Sequence, residues 1–200
     1  MSQLEYLGGP VNYLRSFAPW ILYAVVATQF DWRTSALIGF GLSCAVAGWG
    51  LLRRTPLDAM VIELSAALFF AALSVVAFVA PDSPVRDEVV TLSSAWLGLT
   101  AWGSLALGRP FTLGVARQMA DRSLWDNPVF RRTNAVITAV WATAFTLEAL
   151  ALGLLLAFAP HATAAVVTLK IASFAVPVLF TVRYPRIVRA RYASRLGGAA

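Results

Sequence analysis

Three ionisable side chains fall inside long apolar stretches of the sequence: Glu63, Glu148 and Lys170. A charged group at the centre of a membrane-spanning helix costs roughly 2.5–3.5 kcal/mol on insertion scales, so such a residue is expected to face the protein interior and to have a partner. If the chain turns near Pro160, Glu148 and Lys170 lie at similar distances before and after the turn, and therefore at similar depths at about 1.5 Å per residue. The spacing predicts that Glu148 and Lys170 can form an intramembrane ion pair.

Several kinds of chemistry are compatible with such a pair. It can be a structural contact that holds the last two spans in register, or a site for a substrate, an ion or a proton. A third interpretation makes Lys170 a Schiff-base lysine of a chromophore protein with Glu148 as counter-ion. Glu63 lies about 9 Å from the Arg53-Arg54 end of its span, so we expect it to reach the interface or an arginine. Asp58 is shallower and is expected to be solvated.

Other residue types that carry catalysis are scarce. His161 is the single histidine and Cys44 the single cysteine. One histidine excludes bis-histidine haem and a histidine-rich metal site within the chain. A glycine-rich phosphate loop and a cysteine pair are also lacking. We therefore expect no enzyme, no metal and no cofactor.

The composition is that of a membrane protein. Of the 200 residues, 59% are hydrophobic and 13% are charged, and a soluble domain of this size lacks the interior to bury so much apolar surface. The predicted fold class is all-α, an integral membrane helical bundle of about six transmembrane helices in a single domain over residues 1–200. The predicted spans are approximately 14–30, 34–52, 57–80, 87–108, 133–158 and 162–182.

The arginines mark one side of this arrangement. Only Arg33 and Arg86 fall on the other side of the six-span order. By the positive-inside rule the arginine-rich side is cytoplasmic. This predicts a multi-pass protein of the bacterial cytoplasmic (inner) membrane with both termini in the cytoplasm. The net charge of +6 then follows from topology, without a nucleic-acid partner.

Two parts of the sequence look related. Arg53-Arg54-Thr55, which leads to Ala80-Pro81, is echoed by Arg131-Arg132-Thr133, which leads to Ala159-Pro160. This similarity favours a bundle built from repeated two-helix hairpins in parallel orientation.

The predicted cytoplasmic side has two basic segments, the loop 109–132 and the tail 183–200. Phe111, Val115 and Met119 recur in the loop at near-helical spacing, which predicts an amphipathic helix at the inner interface. A basic tail of this kind is drawn to anionic lipid headgroups. The arginines predicted to contact lipid are Arg109, Arg117, Arg122, Arg131, Arg132, Arg186, Arg189 and Arg191.

A stripe of small residues runs along the second predicted span. Gly39, Ser43 and Ala47 are four residues apart, so they share one helix face on which another backbone can approach closely. We interpret the stripe as a helix-packing surface.

The order of these features resembles that of a known family. The matching elements are a short first span, Arg53-Arg54 shortly before Met60, the Arg109-Pro110 step, Asn134 ahead of Trp141, and Lys170 in the last span. Together, over about residues 15–185, they resemble the intracellular septation protein A family or a related uncharacterised family of bacterial polytopic membrane proteins. The resemblance implies an inner-membrane protein that supports cell-envelope integrity beside the elongation and division machinery, with no established reaction.

Two functional hypotheses follow. The first is a non-enzymatic bacterial inner-membrane protein that supports cell-envelope and septation processes through contacts on its cytoplasmic face. Its partners would be anionic membrane lipids and cell-division or envelope proteins, with a homo-oligomer left open. The second is a small transporter or channel with a polar path lined by Glu63, Glu148 and Lys170.

Overall fold

The computed structural model describes residues 8–159 and 161–197. These residues form seven α-helices and no strand, which confirms the all-α class. Two short 3-10 turns, Leu57–Ala59 and Arg122–Leu124, lie in the connections. The helices are α1 (Gly8–Val26), α2 (Trp32–Leu52), α3 (Val61–Val79), α4 (Val85–Ala106), α5 (Phe111–Arg117), α6 (Pro128–Phe158) and α7 (Thr163–Gly197).

Five of the described helices, α2, α3, α4, α6 and α7, are long and apolar enough to cross a membrane. Helix α1 has a shorter apolar part, Ser16–Val26, so a first span over 14–30 stays a prediction. Helices α6 and α7 are longer than the predicted spans, with 31 and 35 residues. The predicted tail is therefore a helical extension of α7 as far as Gly197.

Local sequence explains where the helices begin and end. Asp31 accepts hydrogen bonds from the backbone of α2, and Asn127 does the same for α6, as Asp and Asn do at N-caps. Pro128 follows at the first helical position, where its missing N–H is not needed. Gly108 has a φ of +67° just after α4, a conformation that favours glycine and ends the helix.

The helices pack as neighbouring pairs around an aromatic interior. Helix α2 packs on α3, α6 on α7, and α4 most extensively on α6. Short connections such as 27–31 and 80–84 make consecutive helices antiparallel. In the interior, Phe17 stacks on Trp141 with ring centroids 5.0 Å apart, and Phe174 meets the same indole edge-on.

The small-residue stripe lies in a helix interface. Gly39, Ser43 and Ala47 are all buried. A Cβ on Gly39 would lie 2.7 Å from Cδ1 of Phe70 in α3, so only glycine leaves room for this ring. The stripe thus lets α2 approach α3 closely.

Helix α5 lies inside the bundle. Phe111 to Val115 are all buried. The Thr112 hydroxyl donates to the backbone carbonyl of Asn134 in α6 at 2.8 Å. The prediction of an amphipathic helix on the membrane surface is therefore wrong for this segment, and the helix is only seven residues long.

Helix α5 is buried because its residues contact the aromatic core and its backbone is hydrogen-bonded by other segments. Phe111 belongs to the aromatic core and meets Trp141 at a centroid distance of 6.5 Å. The backbone N–H of Phe111 donates to the Ser104 hydroxyl at 3.2 Å, so the start of α5 is satisfied without water, as an apolar setting requires. Met119, predicted to share the apolar face, lies beyond the helix and is exposed.

Candidate functional site

Several connections meet at one end of the bundle. The 3-10 turn Leu57–Ala59 packs against α5, and a Cβ on Gly114 would overlap the carbonyl oxygen of Asp58. The indole N–H of Trp141, whose ring meets α5, donates to the Thr181 hydroxyl at 3.1 Å, which brings the C-terminal half of α7 to the same end. We call this the basic end, because the arginines of these segments collect there.

The structure brings Glu148 and Lys170 together. The ammonium nitrogen Nζ of Lys170 lies 3.0 Å from Oε1 of Glu148 and donates a hydrogen bond to the Ser94 hydroxyl at 3.1 Å. The Glu148 side chain is 1% exposed and that of Lys170 is 28% exposed. The pair therefore links α6 and α7, and Ser94 ties it to α4.

The polar groups around this pair are not saturated. Neither carboxylate oxygen of Glu148 accepts a well-directed hydrogen bond from the described residues, and the Thr91 hydroxyl is likewise buried without a partner there. Thr91 precedes Ser94 by three residues, so both face the same side of α4. Chemically, the group offers a buried acceptor, an ammonium and a hydroxyl that can serve a proton or a small polar solute. No cluster of metal-ligating residues occurs in the described part of the chain.

Glu63 belongs to a different part of the interior. Its side chain is buried, with 4% of its surface exposed, and its Oε1 accepts a hydrogen bond from the Ser16 hydroxyl at 2.6 Å. Oε2 has no hydrogen-bond partner in the described residues. Among residues 16–159 and 161–191, where side chains are described, the Glu63 carboxylate therefore meets a serine hydroxyl and no arginine. Its expected reach to the interface or to an arginine outside that range stays a prediction. No ion pair or hydrogen bond in that range links it to Glu148 or Lys170.

A basic pocket of about 500 Å³ opens at the basic end. Asp58, expected to be solvated, is instead half-buried and pairs with Arg117 at 3.2 Å. Arg109 and Arg131 are exposed on the same rim. The lining residues are Asp58, Leu107, Gly108, Arg109, Pro110, Leu113, Gly114, Arg117 and Arg131.

The other predicted lipid-contact arginines are not among the residues that line the pocket. Arg122 lies with its guanidinium carbon 5.7 Å from the Trp125 ring centroid. Asp121 caps this turn, and hydrogen bonds from the backbone and side chain of Ser123 lower its pKa below the usual value. Exposed side chains are also found at Arg132, Arg186, Arg189 and Arg191.

Sequence reasoning missed the hydroxyl partners of the ionisable groups. Ser94 and Ser16 each contact one of them. The available signal was the presence of serine and threonine within apolar helices, since such side chains hydrogen-bond across helix interfaces in lipid. That signal does not say which hydroxyl meets which charge, because each contact depends on how two helices pack, α4 with α7 for Ser94 and α1 with α3 for Ser16.

Comparison with known protein families, with curated proteins and with solved structures gives no match.

Proposed function

We propose that this chain is a non-enzymatic bacterial inner-membrane protein that supports cell-envelope and septation processes through contacts of its basic end with anionic lipid and envelope proteins. One observation carries the proposal: α5 and the Leu57–Ala59 turn form an ordered, mostly buried platform, with Arg109 and Arg131 exposed at its rim. Positively charged side chains at the rim of a rigid apolar platform favour association with negatively charged surfaces.

In this proposal the basic end faces the cytoplasm, in line with the positive-inside rule. The charge bias supports that orientation, because Arg33 and Arg86 are the two arginines that the sequence places at the opposite end. The resemblance to the septation family supplies the envelope role. Glu148 and Lys170 then act as a buried contact between spans.

The proposal is tested by deleting the gene in its bacterium and measuring cell length and envelope permeability. A photo-crosslinking amino acid is placed at exposed Met119 on the basic end and, as a matched control, at exposed Phe30 on the opposite end. We expect a septation or permeability defect, with lipid or envelope-protein adducts from position 119 alone. Normal cells, or adducts from position 30 alone, contradict the proposal.

A second function, a small transporter or channel, is favoured by one specific observation. Apart from the ion pair with Lys170, the buried carboxylate of Glu148 has no hydrogen-bond partner in the described residues, and neither has the Thr91 hydroxyl. Such groups can bind a passing proton or solute. Proton and monovalent-cation flux into proteoliposomes tests this. Flux that Glu148→Gln abolishes and Glu63→Gln leaves intact supports transport; flux equal to that of protein-free liposomes rejects it for these ions.

A further inference from the structure

We propose that the basic pocket binds the phosphate group of an anionic phospholipid, with Arg109, Arg117 and Arg131 as the phosphate-contacting residues. This inference rests on the proposed function, since it names the ligand class and the site through which the basic end meets lipid. It is carried by the lining of the pocket and by a buried N–H of Arg117, one of the lining residues, that has no acceptor in the described residues.

The charge of the pocket is unbalanced. Three arginines and one aspartate line it, which leaves an excess of two positive charges. Asp58 is engaged with Arg117. Guanidinium groups bind phosphate through paired N–H donors, and such charge-assisted bonds are stronger than neutral ones.

Arg117 holds the unpartnered donor. Its Nη1 donates to Asp58 at 3.2 Å, while its Nε–H is buried and has no acceptor in the described residues. Its guanidinium carbon also lies 5.6 Å from the centroid of the Trp125 ring. The guanidinium is thus held in place with one N–H still unused. An orphaned buried donor is costly, and a small shift of the side chain toward a bound phosphate would supply its acceptor.

The remaining lining favours a lipid over a soluble phosphate ester. Leu107, Pro110 and Leu113 form an apolar wall beside the arginines, and the Leu107 side chain is 79% exposed just past the end of α4. A phospholipid presents this combination, a phosphate next to a glycerol and acyl chains. Basic pockets between membrane helices at the headgroup level are suited to such lipids, and about 500 Å³ is within the usual range for a small-molecule site.

The experiment measures retention of dioleoylphosphatidylglycerol by the full-length protein in detergent, with native mass spectrometry and dioleoylphosphatidylcholine as the neutral reference. The double variant Arg109→Gln/Arg131→Gln removes two exposed charges from the pocket. Its matched control, Arg53→Gln/Arg132→Gln, removes two exposed charges that do not line the pocket. We expect the apparent affinity for phosphatidylglycerol to fall about tenfold in the pocket variant and less than about threefold in the control.

Arg117→Lys is the sharper variant, because lysine keeps the positive charge beside Asp58 but has no Nε–H in that position. We expect a loss of affinity for phosphatidylglycerol of about fivefold or more in this variant, and none in Arg132→Lys. Equal losses in the pocket and control variants would overturn the site, since they would show a diffuse charge effect. If sn-glycerol 3-phosphate at equal concentration displaces the lipid, the pocket recognises a soluble phosphate ester as well as a phospholipid, and the proposal of a lipid ligand is wrong.

This outcome is independent of the cellular test. Selective binding of phosphatidylglycerol with normal septation in the deletion strain keeps the site and rejects the envelope role. A septation defect in the deletion strain, together with equal losses of affinity in the pocket and control variants, keeps the envelope role and overturns the site.

Discussion

The carbonyl group of Asp58 occupies the space in which a side chain on Gly114 would begin. This backbone contact seats the Leu57–Ala59 turn on α5 and holds the Asp58 carboxylate beside Arg117, 3.2 Å away. A residue without a Cβ is required at position 114, because backbone atoms on the facing segment cannot swing aside as a flexible side chain can. The geometry of the basic end therefore depends on one hydrogen atom in place of a methyl group.

Gly114→Ala is expected to displace α5 from the turn and to destabilise the protein by about 1–3 kcal/mol, the usual cost of overpacking. The apparent melting temperature of the detergent-solubilised protein measures the effect. Gly103→Ala is the matched control, since a Cβ at that position in α4 meets nothing within 4 Å. We expect this control to be neutral or slightly stabilised, as glycine is a poor residue inside a helix. Equal melting temperatures for the two variants would contradict the close approach.

Lys170→Met is expected to destabilise the protein, because it leaves the buried carboxylate of Glu148 without its counter-charge. Partners of buried pairs cost about 3 kcal/mol or more when removed singly, and the 28% exposure of Lys170 puts the loss at the low end. Adding Glu148→Gln should recover part of it, which a double-mutant cycle on melting temperatures measures.

The surface pair of Arg86 and Asp87 is the control for that cycle. Their side chains are more than half exposed and lie 3.3 Å apart. Exposed ion pairs contribute little, so Arg86→Met should leave the melting temperature almost unchanged. Fully additive losses in the Glu148 and Lys170 variants would show that the two residues do not stabilise each other.

Cysteine labelling tests which end faces the cytoplasm. In a Cys44→Ser background, a cysteine at Ser83, in the connection between α3 and α4, should react in intact cells with an impermeant thiol reagent. One at Ser123, on the basic end, should react only after permeabilisation. Both positions lie outside the helices long enough to span. Labelling of Ser123 alone in intact cells would invert the proposed topology.

Acid should weaken the start of α2. The hydroxyl and backbone N–H of Thr34, at 2.6 and 3.2 Å, and the N–H of Arg33 donate to Asp31, and these bonds hold the pKa of its carboxyl below the usual 3.8. Since the folded state favours the ionised form, this contribution is complete above pH 3.8 and is lost as the pH falls through the lower folded value.

Asp31→Asn keeps a capping side chain but does not titrate. Melting temperatures measured between pH 7 and pH 3 should therefore fall more steeply in acid for the wild type than for this variant. Asp82→Asn, in the exposed turn after α3, is the matched control for the loss of one carboxylate. Parallel curves for the wild type and Asp31→Asn would show that the cap does not respond to pH.

Hydrophobic runs alone predict the long helices, because a span needs about 20 apolar residues whatever its neighbours are. Counting residues from the turn near Pro160 likewise places Glu148 and Lys170 at one depth. Helix α5 is not predictable in this way. Its seven residues are too few for a periodic signal, and the groups that satisfy its backbone, such as Ser104, belong to other segments.

The sequence predicts the basic character of the pocket but not the contacts that shape it. A cluster of arginines near span ends predicts attraction to lipid. From the sequence, however, Asp58 was expected to be solvated rather than paired with an arginine. Its pairing with Arg117 joins residues 59 positions apart and depends on the glycine contact at position 114. The hydroxyl partners Ser94 and Ser16 were missed for the same reason, since their roles arise from helix packing rather than from spacing along the chain.

The position of α5 also sets an order of events during biosynthesis. Residues 111–117 leave the ribosome before α6 does, yet the carbonyl that Thr112 binds belongs to Asn134 and the ring that Phe111 meets belongs to Trp141. Before α6 is made, α5 can pack against the Leu57–Ala59 turn and α4, but its contacts with Asn134 and Trp141 cannot form. The arginine-lined pocket, which includes Arg131 of α6, is thus completed only after α6 is made, and a chain truncated before α6 lacks it.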